Sequence, residues 1–113
     1  MSPKANRTLT IILAIHACLP PVEAAEDGFD EVLKPAFAQN CIKCHGEKGK
    51  VKGKVDLLSL QNAGDLEANE KLLGKLIEAI EFEDMPPEDE PVLDPKLRKE
   101  MIGELKAVIV MNN

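Results

Sequence analysis

The sequence has no Trp and no Tyr, and three Phe residues are its whole aromatic content. A core built from so few large rings is thin for a domain of 113 residues, which points to a non-protein group filling part of it. Basic excess is missing too. Against 20 Asp and Glu stand only 14 Lys and Arg, a net charge of −6, so neither nucleic acid nor an anionic lipid surface is an expected partner. No apolar run is long enough to span a bilayer comfortably. Repeats, low-complexity tracts and paired strand patterns are also lacking. What remains is an all-α class in a single small domain.

Cysteine and histidine are scarce, and the N-terminus makes them scarcer. Lys4 and Arg7 precede an apolar stretch over residues 9–19, and residues 22–24 (VEA) form a small-residue site. Together these have the parts of a secretory signal peptide. The expected organisation is a leader over 1–24 and one domain over 25–113, exported to the periplasm or an equivalent extracytoplasmic compartment. A lipid anchor on Cys18 is the alternative, because residues 15–18 (IHAC) loosely resemble a lipobox. Cleavage after Ala24 removes Lys4, Arg7 and Glu23, leaving 12 basic and 19 acidic residues, a net of −7. It also removes Met1, His16 and Cys18. The reactive residues left are Cys41, Cys44, His45, Met85, Met101 and Met111.

Periodicity places these residues on helices and loops. After a short acidic linker, Phe29, Val32, Leu33, Ala36 and Phe37 recur at helical spacing and predict a helix ending near Cys41, with Pro35 as a kink. Residues 46–54 form a Gly/Lys loop, and 55–60 (VDLLSL) are apolar but too short to assign. Leu72, Leu73, Leu76, Ile77 and Ile80 predict a second helix over 67–82, weakened by Gly74. Three prolines in residues 83–91 exclude helix there. Asp94 followed by Pro95 is a helix start, a carboxylate cap with proline in the first turn. The last helix buries Leu97, Met101, Leu105, Val108 and either Ile102 or Ile109.

Cys41-Ile42-Lys43-Cys44-His45 reads C-x-x-C-H, the attachment signature of c-type haem. Two thiols at this spacing reach neighbouring vinyl groups on one porphyrin edge, and the next residue brings an imidazole over the ring as proximal iron ligand. A structural zinc site wants four ligands, and after cleavage the chain has no second Cys pair and no second His. A thioredoxin-like motif needs a β-α-β setting that is absent. A simple Cys41–Cys44 disulfide leaves His45 without a role. For the second axial position, Met101 reads as core filler and Met111 lies at the helix end. Met85 sits in a loop stiffened by Pro86 and Pro87, where a thioether is held for iron with little further ordering.

The C-x-x-C-H-G of residues 41–46, the VDLLSL segment and Met85-Pro86-Pro87 before Leu93-Asp94-Pro95 resemble class I cytochrome c, and more narrowly the planctomycete-type cytochrome c domain. The resemblance spans residues 29–110. It implies a cytochrome c-like fold of about three main helices around one covalent haem, with His45 and Met85 as axial ligands and Cys41 and Cys44 as thioether anchors. It also implies terminal helices packed across each other. Many relatives carry a Trp in the last helix; this chain has aliphatic residues around Val108 and Ile109.

A haem filled on both axial sides leaves substrate nowhere to bind, so the expected role is single-electron carriage, not catalysis, either alone or as a redox module of a larger oxidoreductase. The alternative is a haem sensor or small-ligand binder with a displaceable distal ligand; a peroxidase wants distal acid–base groups, and no distal His exists. A dry pocket walled by Leu57, Leu58, Leu60, Leu76, Ile77 and Ile80 is expected around the haem. Lys43, Lys48, Lys50, Lys52 and Lys54 follow the motif, while acidic residues flank Met85. The lysines are expected to steer docking to an acidic patch on a redox partner protein.

Overall fold

The computed structural model describes residues 21–111. The expected leader's charged and apolar parts, with His16 and Cys18, lie outside the described residues. The bond after Ala24 falls inside the first helix. Among the described residues the fold is helical, and the sole β feature is an isolated antiparallel bridge between His45 and Val51.

Helix α1 (Pro21–Gly28), a π-helical turn (Phe29–Leu33) and α2 (Lys34–Asn40) follow one another without a break. The expected acidic linker before Phe29 is therefore helix. Ala25 is buried, and the Glu26 carboxylate accepts a 3.5 Å hydrogen bond from the Ala63 amide. Pro35 does not split the rod as a sharp kink. The Lys34 amide instead donates to Phe29 O, five residues back. This wider turn stands just before the residue that has no amide to give.

The helix expected over 67–82 is present as α4, and a short helix not expected from the sequence, α3, precedes it. Helix α3 (Ala63–Glu67) is capped by Asn62, whose side chain accepts from Asp65 N–H at 3.0 Å. Helix α4 (Glu70–Glu81) is capped by Asn69, which accepts from Leu72 N–H at 3.1 Å. An Asn side chain that satisfies the first free amides of a new helix also stops the previous one. Helix α5 (Pro95–Met111) starts as the Asp94-Pro95 pair predicts, with Asp94 Oδ2 accepting from Leu97 N–H at 3.1 Å.

Helix α1 and the π-turn pack on α5, which also packs on α3 and α4. Phe29, Leu33, Leu66, Met101, Leu105 and Val108 are fully buried in this core. Gly28 lies where a Cβ would fall onto the Glu104 carboxylate. Gly28 therefore stands close to α5, beside the fully buried Phe29. Of the two candidates, Ile102 is the one packed against the core, and Ile109 faces outward.

Candidate functional site

The rod ends at the C-x-x-C-H motif. Cys41 leaves helical geometry, and the amides of Cys41 and Ile42 both donate to Phe37 O, at 2.9 and 3.0 Å. Cys44 N–H and His45 N–H then turn back on Cys41 O, at 3.3 and 3.1 Å. Gly46 completes the turn at φ 146°, a conformation that excludes a side chain. A Cβ there would lie 2.9 Å from Leu58 Cγ and 3.0 Å from Asp56 Oδ1.

The Gly/Lys loop is folded back onto this turn. Lys48, Gly49, Gly53 and Lys54 have positive φ, and Lys52 N–H reaches Cys44 O at 3.0 Å. Residues 55–60 form neither helix nor strand. Asp56 accepts from Leu58 N–H and from Ser59 Oγ, and Leu57 N–H donates to His45 O at 2.7 Å. The three residues that carry the chemistry are thus held by main-chain bonds on both sides.

Met85 is brought in from the far side. Past the end of α4 the chain turns through Glu83 at φ 59°, and the amides of Asp84 and Met85 both donate to Ala79 O, at 2.8 and 3.1 Å. Arg98 of α5 donates from Nη1 to Ile80 O at 2.6 Å and to Met85 O at 3.2 Å. The Met85–Pro86 peptide is cis.

These parts enclose one cavity of about 400 Å³, and Cys41, Cys44, His45 and Met85 all line it. Leu57, Leu76 and Ile80 supply apolar wall as expected, joined by Leu72. Three expected wall residues are placed elsewhere. Leu58 is 48% exposed, Leu60 is buried away from the cavity, and Ile77 packs on the core without lining it. In an irregular turn neighbouring residues do not alternate predictably between faces, which is why the VDLLSL segment misled. Met101, expected as core filler, is fully buried and also lines the cavity.

Both thiols are free. Burial pushes the Cys41 thiol up from 9.0 to about 11, so at neutral pH it is protonated. His45 Nδ1 is buried and has no hydrogen-bond partner, an arrangement costing about 1–3 kcal/mol when nothing answers it. Among the described residues no three His, Cys, Asp or Glu side chains gather as they do around a bare metal ion. The two thiols and the imidazole therefore do not converge on one point. They line an apolar cavity of ligand-binding size. Two thiols, an imidazole with an unanswered buried nitrogen, and a thioether lining the same cavity are a donor set that fits covalently attached haem.

Charge is arranged at the rim. Lys43 Nζ lies 3.4 Å from Glu90 Oε1, joining the C-x-x-C-H turn to the loop after Met85. Lys48, Lys50, Lys52 and Lys54 are exposed on the loop behind the motif. Arg98, the second cavity methionine Met101 and the Lys43–Glu90 contact were not found from the sequence. A basic residue in an amphipathic helix carries no signal that it will reach carbonyls in a distant loop.

Comparison of the chain with protein-family models, with curated proteins and with solved structures gives no match.

Proposed function

We propose that this protein is a monohaem c-type cytochrome that carries single electrons, with a cytochrome c-like arrangement of its helices. The observation that carries the reading is the single cavity joining Cys41, Cys44 and His45 to Met85, residues from two loops about 40 positions apart in the chain. In this reading Cys41 and Cys44 would anchor the haem as thioethers, and His45 and Met85 would be the residues that hold its iron. The bound haem would supply one-electron exchange, and a thioether ligand favours the reduced state.

The chain's own residues do the rest. Leu57, Leu72, Leu76 and Ile80 exclude water from one side of the cavity, and a dry wall disfavours extra positive charge. The main-chain bonds of Lys52 and Leu57 to Cys44 and His45 hold the imidazole's backbone still while charge changes beside it. The exposed lysines of residues 48–54 offer a positive rim for an acidic partner protein. Lys43 is engaged by Glu90 and contributes less to that rim than the sequence alone implies. The expected leader makes the carrier an exported one, working in the periplasm or its equivalent, alone or within a larger oxidoreductase.

A second reading has one observation in its favour. Met85 is 40% exposed and loop-borne, so a sensor that exchanges this ligand for a small molecule is the competing function. Visible spectra of the protein made in a host that matures c-type cytochromes decide between them. The carrier gives a reduced α band that survives acid–acetone extraction, the weak near-red Met–iron band when oxidised, and no carbon monoxide binding. Attached haem that lacks the near-red band and takes up carbon monoxide readily favours the sensor. A colourless product from a host that matures a control cytochrome refutes both.

A further inference from the structure

Arg98 of α5 reaches the Met85 loop with its side chain, and its place there is specific. Helix α4 ends with carbonyls that have no helical partner, and the loop turns round them. The Asp84 and Met85 amides use Ala79 O, Glu83 N–H uses Ile80 O at 3.2 Å, and Arg98 Nη1 adds a 2.6 Å bond to Ile80 O. The same nitrogen reaches Met85 O at 3.2 Å. A cation at a helix C-terminus meets the negative end of the helix dipole, and guanidinium has the planar donors to serve two acceptors at once. Both bonds go to main-chain carbonyls, although Arg98 lines a second hollow with the acidic residues Glu83, Asp84, Glu88 and Glu90. The side chain is half-buried, and its bond to Ile80 O is partly shielded from solvent while the bond to Met85 O is exposed.

We propose that Arg98 is the positioning residue for Met85. It ties the Met85 carbonyl to the end of α4 and to α5, and so sets how long the thioether stays in the cavity before another ligand can replace it. Arg98 touches neither the sulfur nor the cavity's other donors; it acts through the backbone of Met85. The inference rests on the reading of Met85 as the axial ligand.

The test uses the haem-loaded protein and the variants Arg98→Ala and Arg98→Lys. Three quantities are read: the near-red band of the oxidised form, carbon monoxide affinity of the reduced form, and hydrogen exchange at the Asp84 and Met85 amides. Loss of a charge-assisted bond is expected to shift the bound–released equilibrium of Met85 by about tenfold. Arg98→Ala should weaken the near-red band, tighten carbon monoxide binding by about tenfold and speed amide exchange at 84 and 85. Helix content and haem content should match wild type. Arg98→Lys keeps the cation but not the paired donors, so its changes should be smaller and in the same direction. If Arg98→Ala does not accumulate, Arg98→Lys decides by the same readings. A wild-type near-red band that persists in the folded variants, with carbon monoxide affinity unchanged, overturns the positioning role and leaves Met85 as ligand. A wild-type protein with no near-red band overturns the ligand reading, and the positioning role with it.

Discussion

If Cys41 and Cys44 anchor haem as proposed, substituting both, Cys41→Ala with Cys44→Ala, and producing the chain without haem attachment would leave its cavity of about 400 Å³ unfilled. Unfilled interior volume costs about 24 cal/mol per Å³, which for an enclosed void of this size is about 10 kcal/mol. The cavity is open at the rim, where Lys52 and Gly53 are exposed, and water entering there reduces the cost to about 5 kcal/mol. A whole small domain is stable by about 5–15 kcal/mol, and a core without Trp or Tyr belongs at the lower end. The haem-free variant is therefore expected to keep part of its helix content while losing a unique packed state. Far-UV circular dichroism during heating, with binding of a hydrophobic dye, provides the assay, since the absence of Trp and Tyr removes the usual near-UV probe. The attached protein should melt in one cooperative step. The double variant should melt broadly and bind dye. A double variant that melts cooperatively within a few degrees of the haem-loaded protein would refute the reasoning, because the helices alone would then support the cavity.

Met85→Ala should abolish the near-red band and open the reduced protein to carbon monoxide, whereas Met101→Leu should keep both properties; the reverse pattern in the spectra would move the axial ligand onto α5. Gly46→Ala combines a forbidden φ with a 2.9 Å approach to Leu58 and should cost at least about 2 kcal/mol in denaturant melts. Gly74→Ala, exposed in α4 with nothing within 4 Å of the new Cβ, should instead gain about 0.5–1 kcal/mol. Equal effects from the two substitutions would contradict this account of Gly46. Burial raises Cys41 from 9.0 to about 11, so the fold favours its protonated form. That stabilisation, about 2–3 kcal/mol, is present below pH 9 and is lost as pH rises through 11. Whatever helical signal the haem-free wild-type chain keeps around a buried Cys41 should fall across that window, and the haem-attached protein, with Cys41 as a thioether, should show no such step.

Local signals in the sequence carried a good deal of this structure. Asp94-Pro95 starts α5 because a carboxylate and a proline act on their own turn, whatever surrounds them. The apolar spacing from Phe29 to Phe37 marks the buried face, and the C-x-x-C-H and Met-Pro-Pro segments line one cavity. Features that depend on tertiary partners were illegible. The short helix α3 before Asn69 carries too few apolar residues to show a period, and it is held by packing on α4 and α5. Residues 25–28 look like a polar linker because their one buried side chain, Ala25, is small. Met101 reads as core and is core, yet the same side chain forms part of a cavity wall that the neighbouring helix leaves open.

The π-turn at Phe29–Leu33 carries a geometric consequence for everything downstream. Each residue of an α-helix advances the chain by about 100° around the axis, and the Lys34-to-Phe29 bond spans one residue more than a helical turn normally does. That extra residue offsets the phase of α2 against α1, so Gly28 and Phe29 can face α5 while Cys41, eight positions past Leu33, faces the cavity. Deleting one residue between 30 and 32 and closing an ordinary α-helix would leave the C-x-x-C-H turn at nearly its present bearing, whereas rewinding the same residues as α-helix would swing it by about 100°. The width of this one turn, set by where Lys34 N–H finds its carbonyl, is the compass bearing of everything from Lys34 to His45.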